Sequence, residues 1–372
     1  MKSIKKIALF IGCIFALFSC DSEKGGSKVA YTEFFTHVVD NMVTPSLTEY
    51  QSNLNNFKLA VDDFSSDPSL TKLNDLQSDF KANYILWESV QIFNFGPAQD
   101  ADILLTQSFN SFPCENSQVD QNIATGNYNL GSAANINAVG LPAIDYLLFG
   151  IANTQEAIYN LYSTDPAANN RMAYLKALVD LLNEKINLLV SRWPNQRENF
   201  ITNSGTGNSS SLSIIFNEYL SHYEGIKRDR FALPAGYATS FGIPIDKDPT
   251  ATEGYYSNIS HLLFKASISA SKNFFLGKGT GTSEIGFFHK LQEYNAQSTI
   301  VDGELHIAIK DQYNVIQGYA VEYTEPIEEQ IIADSDAMGA FKSQLQKMVP
   351  MIKSDMVSYL SVNITSFDND GD

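Results

Sequence analysis

Residues 30–64 read AYTEFFTHVVDNMVTPSLTEYQSNLNNFKLAVDDF, and their apolar positions decide the fold class. Phe34, Val38 and Met42, then Leu47, Tyr50, Leu54, Phe57 and Val61, recur mostly every three or four residues. That spacing lines one face of an α-helix; a strand, with its period of two, would scatter these residues over both faces. Pro45 lies inside the run. Without a backbone N–H it should kink the helix or split it in two.

The pattern continues toward the C-terminus. Asp67-Pro68-Ser69 marks a turn, with Ser69 placed to cap a helix carrying Leu70, Leu73, Leu76, Phe80, Tyr84, Trp87 and Val90. Phe95-Gly96-Pro97 should stop it. Residues 98–140 are rich in Asn, Gly and Ser and read as shorter pieces, followed by a brief apolar helix over 141–149 closed by Gly150. Long amphipathic segments cover 169–190, 211–226, 254–276, 291–313 and 336–362. Residues 230–253 hold Pro234, Gly236, Gly242, Pro244 and Pro249 and read as an extended connection. The best strand candidate, 305–309, also fits within a helix. The fold class is therefore all-α: two helical-bundle domains packed together, spanning 29–165 and 166–372.

Upstream of the first helix, MKSIKK carries three lysines and no acid, and residues 7–18 are almost purely apolar. The run is too short to span a bilayer and reads as a secretory signal over 1–19. Leu17-Phe18-Ser19-Cys20 looks like the lipobox read by lipoprotein signal peptidase, which makes Cys20 the expected lipidation site. Residues 20–28 would then form a flexible polar tether. With Cys13 removed and Cys20 acylated, Cys114 is the one remaining thiol, and no intramolecular disulfide can form. The formal net charge is −17, and loss of Lys2, Lys5 and Lys6 with the signal would make it −20. Such a surface argues against nucleic acid and against a purely electrostatic hold on anionic lipid.

Familiar catalytic patterns are missing: no His-Glu-x-x-His, no phosphate loop, no Cys-x-x-Cys, no Gly-x-Ser-x-Gly. His37, His222, His261, His289 and His306 show no ligand spacing and read as structural. The ending FDNDGD, 367–372, opens like a calcium loop but lacks the remaining ligands, so a solvated acidic tail is expected. The unusual stretch is Gly140-Leu141-Pro142-Ala143-Ile144-Asp145-Tyr146-Leu147-Leu148-Phe149-Gly150. It is apolar all round, as a fully buried helix would be, yet Asp145 shares a face with Leu141 and Leu148. A carboxylate there must be paired, hydrogen-bonded or protonated, and it serves either as an internal staple or as part of a functional site.

WESVQIFNFGP at 87–97, GLPAIDYLLFG at 140–150, GYYSNISHLLFKASISASKNFFLGK at 254–278 and the terminal FDNDGD together resemble the imelysin-like proteins, in order over nearly the whole chain. The resemblance implies an exported, two-bundle helical protein, often a lipoprotein, linked to iron acquisition and carrying a peptidase label of the M75 type. The family hallmark, Gly-x-His-x-x-Glu, falls on Gly140, Pro142 and Asp145. The glycine is kept, the acid is shortened and the histidine is replaced by proline, so the metal-ligand pair does not carry over. The resemblance thus points to a degenerate site in a non-enzymatic envelope lipoprotein. It would be held at the outer membrane by acyl chains on Cys20 and would bind a ligand or an uptake partner. Iron or another divalent metal enters by family association alone. A zinc metallopeptidase and a purely structural partner of an outer-membrane transporter are the rival readings.

Overall fold

The computed structural model describes residues 31–365 except 206, 241, 334 and 335. The expected signal, Cys20, the tether and the FDNDGD ending lie outside the described residues. The helices are, in chain order, α1 (Thr32–His37), α2 (Thr44–Ser66), α3 (Leu70–Trp87), α4 (Leu105–Phe109), α5 (Asn116–Thr125), α6 (Gly140–Asp145), α7 (Gln155–Ser163) and α8 (Ala168–Thr202). They continue as α9 (Ser211–Lys227), α10 (Ser260–Leu276), α11 (Phe287–Glu293), α12 (Leu305–Val321), α13 (Ile327–Ala333), α14 (Asp336–Pro350) and α15 (Val357–Leu360). The described strands are β1 (Thr239–Ser240) and β2 (Ile243–Pro244), which pair antiparallel within the long connection. The all-α class is as the periodicity requires.

Pro45 does not split the first helix into separate pieces. A π-helical stretch, Val38–Val43, joins α1 to α2 and puts Pro45 in the first turn of α2. The missing N–H of Pro45 leaves the Asn41 carbonyl, four residues back, without its helical donor. Thr280 supplies one instead: its N–H lies 2.7 Å from Asn41 O. A defect in one helix becomes a contact with the distant half of the chain.

Ser69 caps α3 as its position predicts, its Oγ accepting the Lys72 N–H at 3.2 Å. Two other expectations are corrected. The helix expected over 291–313 is two, α11 and α12, parted by a turn in which Asn295 (φ +50°) and Gly303 (φ +124°) take left-handed conformations. Asp355 holds that turn by accepting from Ser298 Oγ, Thr299 N–H and Thr299 Oγ1. Residues 305–309 begin α12, so the strand candidate is helical.

The helices pack in two groups that share a continuous apolar core. α8 follows the expected division at 165/166, yet it packs chiefly on α2 and also touches α4, α5, α6 and α7. The second group is built on α9, α10, α12 and α14. The groups meet where α10 crosses α3 and where α9 lies on the single turn Gln91–Phe93. Trp87, at the end of α3, stacks on Phe109 with ring centroids 4.8 Å apart.

Candidate functional site

Gly140 opens α6 because no other residue fits there. Its φ is +79°, and a Cβ would stand 2.4 Å from the Phe109 carbonyl oxygen. This close approach sets α6 against the end of α4, with Pro142 buried in its first turn. Asp145 ends α6 and is 2% exposed. Its Oδ2 accepts the Tyr256 N–H at 3.1 Å and its Oδ1 the Ser257 N–H at 3.0 Å. Both donors precede α10, so one carboxyl group ties the two halves together. Burial pushes it up to about 7, against the opposing pull of the Ser257 and Tyr256 hydrogen bonds and the Lys81 charge.

A cavity of about 180 Å³ adjoins this group, walled in part by Cys114, Asn116, Pro142, Asp145, Asp248 and Tyr255. Burial, reinforced by the Asp145 charge, pushes the Cys114 thiol up to about 12, so it is not a ready thiolate. The metal implied by the family hallmark does not fit these residues. Pro142 has no donor nitrogen, so α6 offers a single carboxylate, Asp145, where the hallmark would offer a pair of ligands. Among the described residues no group of three or more His, Cys, Asp or Glu is placed to hold a metal ion.

A second cluster of buried charge, which the sequence reading did not single out, lies at the same junction. Glu88 follows α3, Arg230 sits in the π-helical stretch Arg228–Ala232 after α9, and Glu253 precedes α10; all three are buried. Arg230 Nε lies 2.5 Å from Glu253 Oε2, and Arg230 Nη2 is 3.5 Å from Glu88 Oε2. Gln91 accepts from Arg230 Nη2 at 2.7 Å and donates to Glu88. Asn110 donates to Glu253 at 2.5 Å and accepts from Tyr84 at 2.8 Å. Burial pushes Glu88 well above the usual carboxylate range; Arg230 opposes this and Glu253 adds to it. Burial works against the Arg230 charge, but the Glu253 and Glu88 carboxylates more than offset it. One signal was available: Phe80, Tyr84 and Glu88 are spaced by four, which puts an acid on the apolar stripe of α3.

The histidines do not assemble into a site. His37 bonds the Gly277 carbonyl at 2.7 Å, and His289 and His306 flank the Phe288 ring. His222 differs, being buried with no hydrogen-bond partner on either ring nitrogen among the described residues.

The fold has solved counterparts. A structure from Parabacteroides distasonis ATCC 8503, assigned as an iron-regulated protein A precursor, superposes with a TM-score of 0.72 at 17% identity. The match covers 91% of this chain and 97% of that one. An imelysin-like protein from Psychrobacter arcticum 273-4 gives 0.67 at 15% identity, covering 90% and 96%. No curated protein matches. The family model for imelysin, the M75 peptidase family, matches residues 43–350, most of the chain and all of the junction described above. This chain belongs to the imelysin family.

Proposed function

We propose that this protein is a non-enzymatic imelysin, anchored to the outer membrane by acyl chains on Cys20, that binds a ligand or partner at the junction around Asp145. The reading rests on one observation. Pro142 stands where the family motif has its histidine, one turn before an Asp145 whose carboxyl group is buried and bonded to two amides. Each carboxyl oxygen can accept a second hydrogen bond, so Asp145 can serve a ligand in the 180 Å³ cavity while keeping its amides. Iron or haem acquisition is the process in which we place it, supported by the iron-regulated assignment of the Parabacteroides relative.

Metal analysis of protein purified from cells grown with and without added iron tests the reading. The native protein should carry no stoichiometric metal. Pro142→His should gain affinity for a divalent ion, and adding Asp145→Ala should abolish it again. A native protein that holds iron or zinc one-to-one, and loses it on Asp145→Ala alone, would overturn the proposal.

A further inference from the structure

α3 carries two stripes. Leu73, Leu76, Phe80 and Tyr84 face the core, while Asn74, Gln77, Ser78 and Lys81, also spaced by three and four, line a cleft of about 750 Å³. Its other walls are Phe149, the start of α7 and the segment Tyr256–Asn258. The cleft shares only Tyr256 with the lining of the Asp145 cavity. Its volume lies within the range of small-molecule sites, roughly 300–1,000 Å³.

The polar groups of the cleft are within reach of a ligand. Gln77 is 5% exposed and donates through Nε2 to the Leu148 carbonyl at 2.6 Å. Its Oε1 is not sealed from water and meets no donor among the described residues. Asn74, Ser78, Asn153 and Asn258 are exposed, and their side chains form no hydrogen bond among the described residues. Thr154 differs, its Oγ1 being spent as the α7 cap on the Ala157 N–H at 3.2 Å.

Charge narrows the occupant. Lys81 is the one charged side chain among the described residues of the lining, and no acid accompanies it. Its ammonium lies 5.0 Å from the centroid of the Phe149 ring and within ion-pair distance of no described carboxylate. Asp145, the acid whose ionised form Lys81 favours, is occupied with the Tyr256 and Ser257 amides and is not part of the lining. In a chain of 42 acidic and 25 basic residues, a cation left without an acid in a concave site is the exception. One cation matches one negative charge, and the neutral amides and hydroxyls beside it match hydroxyl groups. A cationic ligand would find no acid here, and an apolar one would desolvate Lys81 and Gln77 Oε1 without pairing them.

We propose that this cleft binds a sugar acid, a polyhydroxylated molecule with a single carboxylate. Lys81 pairs with the carboxylate, Gln77 Oε1 accepts from a hydroxyl one helical turn away, and Asn74, Asn153 and Asn258 take further hydroxyls.

Isothermal titration calorimetry of the native protein with gluconate, galacturonate, glucose and acetate tests this. At least one of the two sugar acids should bind with millimolar affinity or better. Glucose, which has hydroxyls without the charge, and acetate, which has the charge without hydroxyls, should each bind at least about tenfold more weakly. Lys81→Met should weaken the sugar acid about tenfold, as expected for one lost charge-assisted hydrogen bond, and Lys81→Arg should keep it. The proposal fails if neither sugar acid binds, or if glucose or acetate binds as tightly as they do. It fails equally if folded Lys81→Met keeps the parent's affinity. The four titrations of native protein are decisive even if Lys81→Met does not fold.

Discussion

Asp145 holds two amides from the far half of the chain while buried from water. Its folded-state value near 7 lies above the unfolded carboxylate value of about 4. Between roughly pH 4 and 7 the native state therefore keeps a proton that the unfolded chain has released, and stability falls as pH rises through that window. Asp145→Asn removes this titration but leaves one amide without an acceptor, at a cost of about 1–3 kcal/mol. In urea melts the variant should be less stable than the parent at mildly acidic pH, with the gap closing toward neutrality. A gap that widens as pH rises would mean that the ionised carboxylate is the favoured form. Asp145 was legible in the sequence because a lone acid in an apolar helix has few ordinary explanations. His222 was not, because a histidine among tyrosines and leucines looks like any core residue until its nitrogens are seen to lack partners among the described residues.

Glu88, Arg230 and Glu253 belong to three different elements, and each is explained only by the others. That is why the sequence shows them poorly: each acid or base sits beside local residues that suggest a helix end or a loop. Removing the shared cation should cost far more than neutralising one acid. Arg230→Met leaves buried carboxylates uncompensated and should destabilise by about 3–5 kcal/mol. Glu88→Gln, at a group that burial already biases toward its protonated form, should cost about 1 kcal/mol or less. Shifts in urea midpoint at constant m-value measure both, and equal losses would contradict the assignment of Arg230 as the shared partner. The misread element, 291–313, has a similar cause. Leu291 and Leu305 are separated by close to four helical turns, so the stripe keeps its phase across a break marked only by Asn295 and Gly303.

For the whole molecule, helical class and family were legible early, because periodicity over long segments and four distinctive stretches carry them without tertiary detail. Packing of α8 with the first group was not legible, since a long amphipathic helix does not say on which side of a junction its stripe is buried. No described helix is long and apolar enough to cross a membrane. The proposed hold on the membrane therefore rests on Cys20, and stable anchoring needs more than one acyl chain. Cys20→Ser should move the protein to the soluble fraction. Retention in salt-washed membranes would sink the lipoprotein reading. The Asn41–Thr280 contact bears on how such a chain is made. The first helix leaves the ribosome with a carbonyl that its own proline has stripped of a donor, and the replacement donor is encoded 239 residues later. Until then water must serve that oxygen. Synthesis order is thus written into the helix as an open valence, closed only when the second half has arrived.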